Sequence, residues 1–132
     1  MNTRMQNTHL LASEKLIGSV VTIGNDCATV KLTITEEMIV DTYNLSHGSF
    51  VFGLADYAAM VAINEPTVVL GKATTKFLKP VILNDVVTAV ATIIETSGKK
   101  ISVLVVVTNQ ENELVFEGEF VCFVLEKHVL DN

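Results

Sequence analysis

No run of about 18–20 consecutive apolar residues occurs in this sequence, so a membrane-spanning helix does not explain its apolar character and no membrane partner is expected. The opening Met1-Asn2-Thr3-Arg4-Met5-Gln6-Asn7 is polar and lacks an apolar signal core. Cysteine is scarce. Cys27 and Cys122 lie far apart, each within a strand-like run, and read as buried free thiols in a reducing, cytoplasmic setting rather than as a bridge. Basic residues are outnumbered, nine Lys and Arg against fifteen Asp and Glu. The resulting net charge of −6 disfavours nucleic acid as a partner. No His, Cys and Asp spacing resembles a ligand set, so no metal site is expected. There is no linker, repeat or low-complexity segment.

What is present is apolar. Hydrophobic residues make up 49% of a 132-residue chain, which has the size of one domain and can bury a real core. Residues 1–132 are expected to form that single domain, with 1–8 as a loose N-terminal segment. So high an apolar share implies that much of the chain is covered, by wrapping or by a partner subunit.

Thr8 to Ile17 reads as a short amphipathic helix, with Thr8 as N-cap and Gly18 just past its end. Ser19–Ile23 and Ala28–Thr35 are β-branched runs joined by Gly24-Asn25-Asp26, a hairpin signal. Glu36 to Ser46 is irregular. His47 to Asn64 is different: Leu54, Ala55, Ala58, Ala59, Met60 and Ala62 favour helix, and Glu65-Pro66 ends it. Asp56 is the only charged residue from 48 to 64. A helix apolar on nearly every side is a buried helix. Thr67–Leu78, Val86–Thr96, Ile101–Thr108 and Leu114–Leu125 then read as strands separated by short turns, which pair antiparallel. One buried helix followed by four long strands implies an α+β fold, a curved antiparallel sheet wrapped around the helix.

The run His47-Gly48-Ser49-Phe50-Val51-Phe52-Gly53-Leu54-Ala55-Asp56 resembles the motif of the hotdog-fold acyl-CoA thioesterases, notably the phenylacetyl-CoA thioesterase-like group. In that group a His-Gly-Gly opens the central helix and an acidic residue follows nine positions after the His. Asp56 stands nine after His47. Phe77-Leu78-Lys79-Pro80-Val81 is similar to the family's aromatic-leucine-basic-proline phrase. The resemblance covers about Leu10 to Leu125, with two departures. The second glycine is Ser49 here, and the asparagine often found upstream of the His has only Asn44 as a counterpart, at shorter spacing. The resemblance implies the hotdog fold, an acyl-CoA substrate whose CoA is part of the substrate with no separate cofactor, and a homodimer or a dimer of dimers.

Thioester hydrolysis needs an activated water or a nucleophile, and donors aimed at the developing oxyanion. The start of the central helix offers free N–H groups and a positive dipole end, and Gly48 there permits close approach. Asp56 is the carboxylate available as base or nucleophile, with burial raising its pKa. Gly48 and Asp56 are roughly 12 Å apart along the axis, and His47 and Asp56 point to opposite sides. One helix therefore does not bring donors and carboxylate to one carbon, whereas two antiparallel helices from neighbouring subunits do. His47 reads as an organiser of the turn. Ser49 projects to nearly the face of Asp56 and suits substrate or water binding. Lys72 and Lys76, sharing a strand face with Thr74, are candidate phosphate contacts, and Thr74 and Thr75 candidate contacts for the acyl-pantetheine arm. Asn44 joins the substrate-binding set. Two alternatives stay open: a non-catalytic acyl-CoA-binding or sensing protein, and a hotdog hydratase or dehydratase. Against the latter, Thr42–Ser46 lacks the glycine- and proline-rich stretch those enzymes carry.

Overall fold

The β-branched runs pair into one antiparallel sheet whose inner face wraps the alanine-rich helix. A computed structural model describes residues 3–131. Its elements are β1 (Ser19–Gly24), β2 (Cys27–Thr33), a 3-10 turn (Glu36–Met38), α1 (Gly48–Ile63), β3 (Val68–Phe77), β4 (Val86–Ser97), β5 (Lys100–Thr108) and β6 (Leu114–Val124). The six strands run in the order β1-β2-β4-β5-β6-β3. This is the hotdog fold, as the resemblance implied.

Alternation along the strands decides what the helix meets. On β5, Val103, Val105 and Val107 are fully buried while Leu104 between them is exposed. On β4, Val87, Ala89 and Ala91 face inward and Val90 outward. Small residues on both partners, Ala89 and Ala91 on the sheet and Ala55, Ala58, Ala59 and Ala62 on α1, let helix and sheet approach closely. Phe116 and Phe120 of β6 are fully buried beside them, and burying each such ring contributes about 2–3 kcal/mol. Because β6 lies between β5 and β3, β3 is an edge strand. Among the described residues no helix is long and apolar enough to cross a membrane.

The segment from Thr8 to Ile17 is not a helix. It holds isolated turns, with Ile17 N donating to Ser13 O at 2.8 Å and Gly18 N to Glu14 O at 3.2 Å. His9 adopts a left-handed φ of 55°, which no helix start tolerates. Thr8 caps nothing, since its Oγ1 bonds the neighbouring His9 Nδ1 at 2.8 Å. Ten residues are also few to offset the cost of helix nucleation; Ala12, Leu16 and Ile17 pack against the core, but Leu11 is fully exposed. By contrast, residues 4–8, expected to be loose, are tied down. Arg4 N donates to Ile23 O at 2.8 Å, and Gln6 Nε2 donates to the Tyr57 hydroxyl at 2.9 Å. Asn64, in the left-handed conformation that ends α1 (φ 59°), accepts from Asn7 N at 2.7 Å and donates to Met5 O at 2.9 Å. Met1 and Asn2 lie outside the described residues.

Candidate functional site

The start of α1 is built by His47. It is the N-cap, in extended backbone conformation, and its Nδ1 accepts the Ser49 N–H at 3.0 Å and bonds Ser49 Oγ at 2.8 Å. A main-chain N–H can only donate, so Nδ1 is an acceptor and the neutral ring carries its proton on Nε2. His47 thus organises the turn. The hydroxyl at 49, where the resemblance has glycine, adds a second bond to the same nitrogen. The Ser49 and Phe50 N–H groups are both taken by His47. That leaves the Gly48 N–H, the first of the helix, without an intrahelical acceptor.

Gly48 opens onto a cleft of about 220 Å³. His47, Gly48 and Val51 form one wall, and Phe77, Lys79 and Val81 the other. The two motif phrases read separately in the sequence therefore face each other across one space. A Cβ on Gly48 would stand 3.2 Å from Phe77 Cε2, and Phe77 in turn packs edge-on against Phe116 at 5.0 Å. The cleft floor is anchored by main-chain bonds: Ser46 N to Val81 O and His47 N to Met38 O, each 2.9 Å.

Asp56 lies two turns further along α1, outside that cleft. It is half-buried, and its Oδ1 is buried with no hydrogen-bond partner among the described residues. Loss of hydration pushes its pKa up from 3.8 to about 6. The Cys122 thiol is pushed up to about 12, mainly by burial and further by the Asp56 carboxylate. A buried, unpartnered oxygen is rare enough to need an explanation. Within the described residues that oxygen stays unpaired. Ser49, seven residues before Asp56, projects to the same side of the helix.

The remaining candidates divide. Lys72, Thr74 and Lys76 lie on the exposed outer face of β3, opposite Val121, Glu119 and Glu117. Glutamates thus stand across from Thr74 and Lys76, and this face is of mixed charge. Thr75 points inward, opposite Gly118, whose missing side chain makes room for its Cγ2. Asn44 takes a left-handed turn (φ 66°), and its carbonyl accepts from Leu83 N at 2.9 Å. It does not line the cleft. Lys79 does, and sequence reasoning passed over it in favour of the strand-face lysines. Its Nζ pairs with Glu113 at 2.8 Å, and the basic position of the Phe-Leu-Lys-Pro phrase was the signal that pointed to it. Among the described residues no group of three or more His, Cys, Asp or Glu is placed to hold a metal ion.

A family model described as "Thioesterase superfamily" matches residues 43–116. Among curated proteins, a methylthioribose-1-phosphate isomerase of Aquifex aeolicus is 45% identical over 113 residues, covering 86% of this chain but 25% of that protein. The transcription factor FapR of Caldanaerobacter subterraneus is 31% identical over 96 residues, covering 73% of this chain and 48% of that one. The chain thus spans between a quarter and about half of these two relatives. Among solved structures, an uncharacterized protein of Pyrococcus horikoshii superposes with a TM-score of 0.96 at 54% identity, covering 99% of this chain and 100% of that one. A hypothetical thioesterase of Streptococcus pneumoniae, solved with coenzyme A, superposes with a TM-score of 0.76 at 20% identity, covering 83% and 87%. That last likeness concerns the fold alone.

Proposed function

Because the chain belongs to the thioesterase superfamily, we propose that it hydrolyses acyl-CoA thioesters at a site completed by two copies of the chain. One copy contributes Gly48 and the start of α1, and the other contributes Asp56. The observation that carries this reading is Asp56 itself, a half-buried carboxylate with an unpartnered oxygen and a pKa near 6. It lies on the helix whose first N–H opens onto a cleft. A carboxylate with that pKa is ionised at neutral pH and is still basic enough to take a proton.

In this reaction the thioester carbonyl oxygen lies against the Gly48 N–H, where the helix dipole adds positive potential. Water attacks the carbonyl carbon as Asp56 accepts its proton. The tetrahedral oxyanion collapses, the C–S bond breaks, and the proton held by Asp56 passes to the departing sulfur. Direct attack by Asp56 is the other route: its oxygen displaces the CoA thiolate to form a mixed anhydride, which water then opens at the Asp56 carbonyl. Single turnover in heavy-oxygen water separates the two, since the direct route alone carries label into the Asp56 side chain. His47, with Nδ1 occupied, shapes the turn that presents Gly48. The free edge of β3 is a surface on which a second copy can add strands.

The match to the thioesterase family model supports a thioester as the ligand class. A second reading keeps the ligand and drops the chemistry. It draws on the match to a transcription factor, which makes an acyl-CoA-sensing module the competitor. The isomerase match covers a quarter of that protein, and its activity is not carried over.

A panel of short, long and aromatic acyl-CoA esters, assayed for free thiol with wild type and Asp56→Asn, tests the proposal. Turnover by wild type and its loss in the variant is the expected result. Binding without turnover in both proteins would favour the sensor. Equal turnover in both would remove Asp56 from the mechanism.

A further inference from the structure

Helix and sheet climb in step on the inner face. Phe52 of α1 packs on Phe120 of β6, ring centroids 5.6 Å apart. At the helix start, Gly48 faces Phe77, which pairs with Phe116, so α1 and β6 run in the same sense. Four residues beyond Phe52 is Asp56, about 6 Å further along the helix. Two residues beyond Phe120, on the same strand face, is Cys122, about 7 Å further along the strand. Asp56 therefore stands over Cys122, and the effect of its charge on the thiol agrees. Cys122 is fully buried, and its Sγ reaches the Phe120 carbonyl at 3.7 Å.

The other groups around Asp56 do not compete for this role. The inward residues of β3 are Leu70, Ala73, Thr75 and Phe77, paired with Cys122, Phe120, Gly118 and Phe116, while Lys72 and Lys76 face outward. From β5 the inward residues are Ile101, which pairs with Cys122, and Val103, Val105 and Val107. The segment passing Gly53 carries Glu14 and Lys15, both exposed, with Lys15 paired to Glu37. Of the inward residues on β3, β5 and β6, Cys122 is the titratable one.

We propose that Cys122 is the positioning residue for Asp56: its thiol closes the floor beneath the carboxylate but gives its hydrogen bond to the Phe120 carbonyl, leaving Asp56 Oδ1 unbound. A thiol is a weak donor of nearly the right volume. A hydroxyl in its place would bond the carboxylate, favour the charged form and make it a poorer base. An alanine would leave the oxygen unbound. The proposal rests on Asp56 as the reactive carboxylate for its functional meaning, but its geometry is testable without activity.

The test is an NMR titration of the Asp56 side-chain carboxyl in wild type, Cys122→Ser and Cys122→Ala, with the pH profile of hydrolysis alongside. Cys122→Ser is expected to lower the midpoint by about one pH unit and to carry the acidic limb of activity down with it. Cys122→Ala is expected to leave the midpoint raised. A serine variant titrating like wild type, or an alanine variant falling as far as serine, overturns the proposal. Should Cys122→Ser fail to fold, the S–H Raman band of Cys122 in a Cys27→Ala background decides. A band that stays put as pH crosses the Asp56 titration supports donation to Phe120, and a band that shifts strongly places the bond on Asp56 and overturns it. If Asp56→Asn remains fully active, the hydrolytic reading fails while the titration result still stands.

Discussion

Gly48 faces the ring of Phe77 so closely that a Cβ there would lie 3.2 Å from the ring edge. This contact joins the beginning of α1 to the end of β3 and sets the width of the cleft. Phe77 is 57% exposed, so its ring can yield by a few tenths of an ångström. Gly48→Ala is therefore expected to fold without loss of stability, since alanine gains about 1 kcal/mol over glycine in a helix. Hydrolysis of acyl-CoA is expected to fall by about ten-fold or more, because small displacements at a reacting centre are costly. Thermal melting and a thiol-release assay read the two effects separately.

Asp56 ties the proposed activity to stability. Its pKa is about 6 in the folded protein against 3.8 as the ordinary value, so the native state holds its proton more tightly than the unfolded chain. Its contribution to stability is fully present below pH 4 and is lost as pH rises through about 6. At neutral pH the ionised group costs on the order of 2 kcal/mol. Asp56→Asn is expected to be more stable than wild type at pH 7 by up to that amount, with the difference vanishing near pH 4. Urea denaturation at the two pH values checks this. In wild type, hydrolysis is expected to rise with pH through an apparent pKa near 6.

Asn64 holds the N-terminal segment to the end of the helix. Asn64→Ala loses the bonds to Asn7 N and Met5 O and strains a left-handed residue. A loss of about 2–3 kcal/mol is expected. Asn64→Gly removes the same bonds without the strain, so it should recover about 1 kcal/mol of that loss. Equal unfolding free energies for the two variants would show that backbone strain plays no part.

Lys79 is the cation lining the cleft, although Glu113 draws it aside. Lys79→Ala is expected to raise KM for acyl-CoA about three-fold or more at low salt, with kcat little changed, and the effect should fade at high ionic strength. Lys72→Ala and Lys76→Ala, on the outer face, are the comparison. A larger KM effect from that pair than from Lys79 would place the phosphates of CoA against the outer face of the sheet.

Much of this was legible in the sequence for identifiable reasons. The helix from Gly48 to Ile63 stood out because small and helix-forming residues, the alanines above all, recur through its sixteen positions with one charge among them. Its ends were set by local chemistry, a histidine cap and a left-handed asparagine before Pro66. The strands showed because β-branched residues alternate with polar ones on a half-wet sheet. The N-terminal segment departs from its sequence pattern in two ways. Its apolar spacing suggests a helix, but His9 breaks the backbone. Its polar opening suggests looseness, but Asn64 and Tyr57, more than fifty residues away, hold it. Such long-range bonds leave no periodic trace. The pairing of Gly48 with Phe77, and of Asp56 with Cys122, was likewise invisible, since each depends on the register between helix and sheet. The separation of Gly48 from Asp56 was legible from helical rise alone.

That separation gives the most direct measurement. Gly48→Val and Asp56→Asn, each expected to be inactive by itself, are mixed, dissociated and reassociated at equal amounts, with mixed assemblies verified by native mass spectrometry. If each site takes Gly48 from one chain and Asp56 from its partner, every mixed dimer regains one intact site, and random pairing restores about a quarter of wild-type activity. No recovery of acyl-CoA hydrolysis in verified mixed dimers would contradict the shared site.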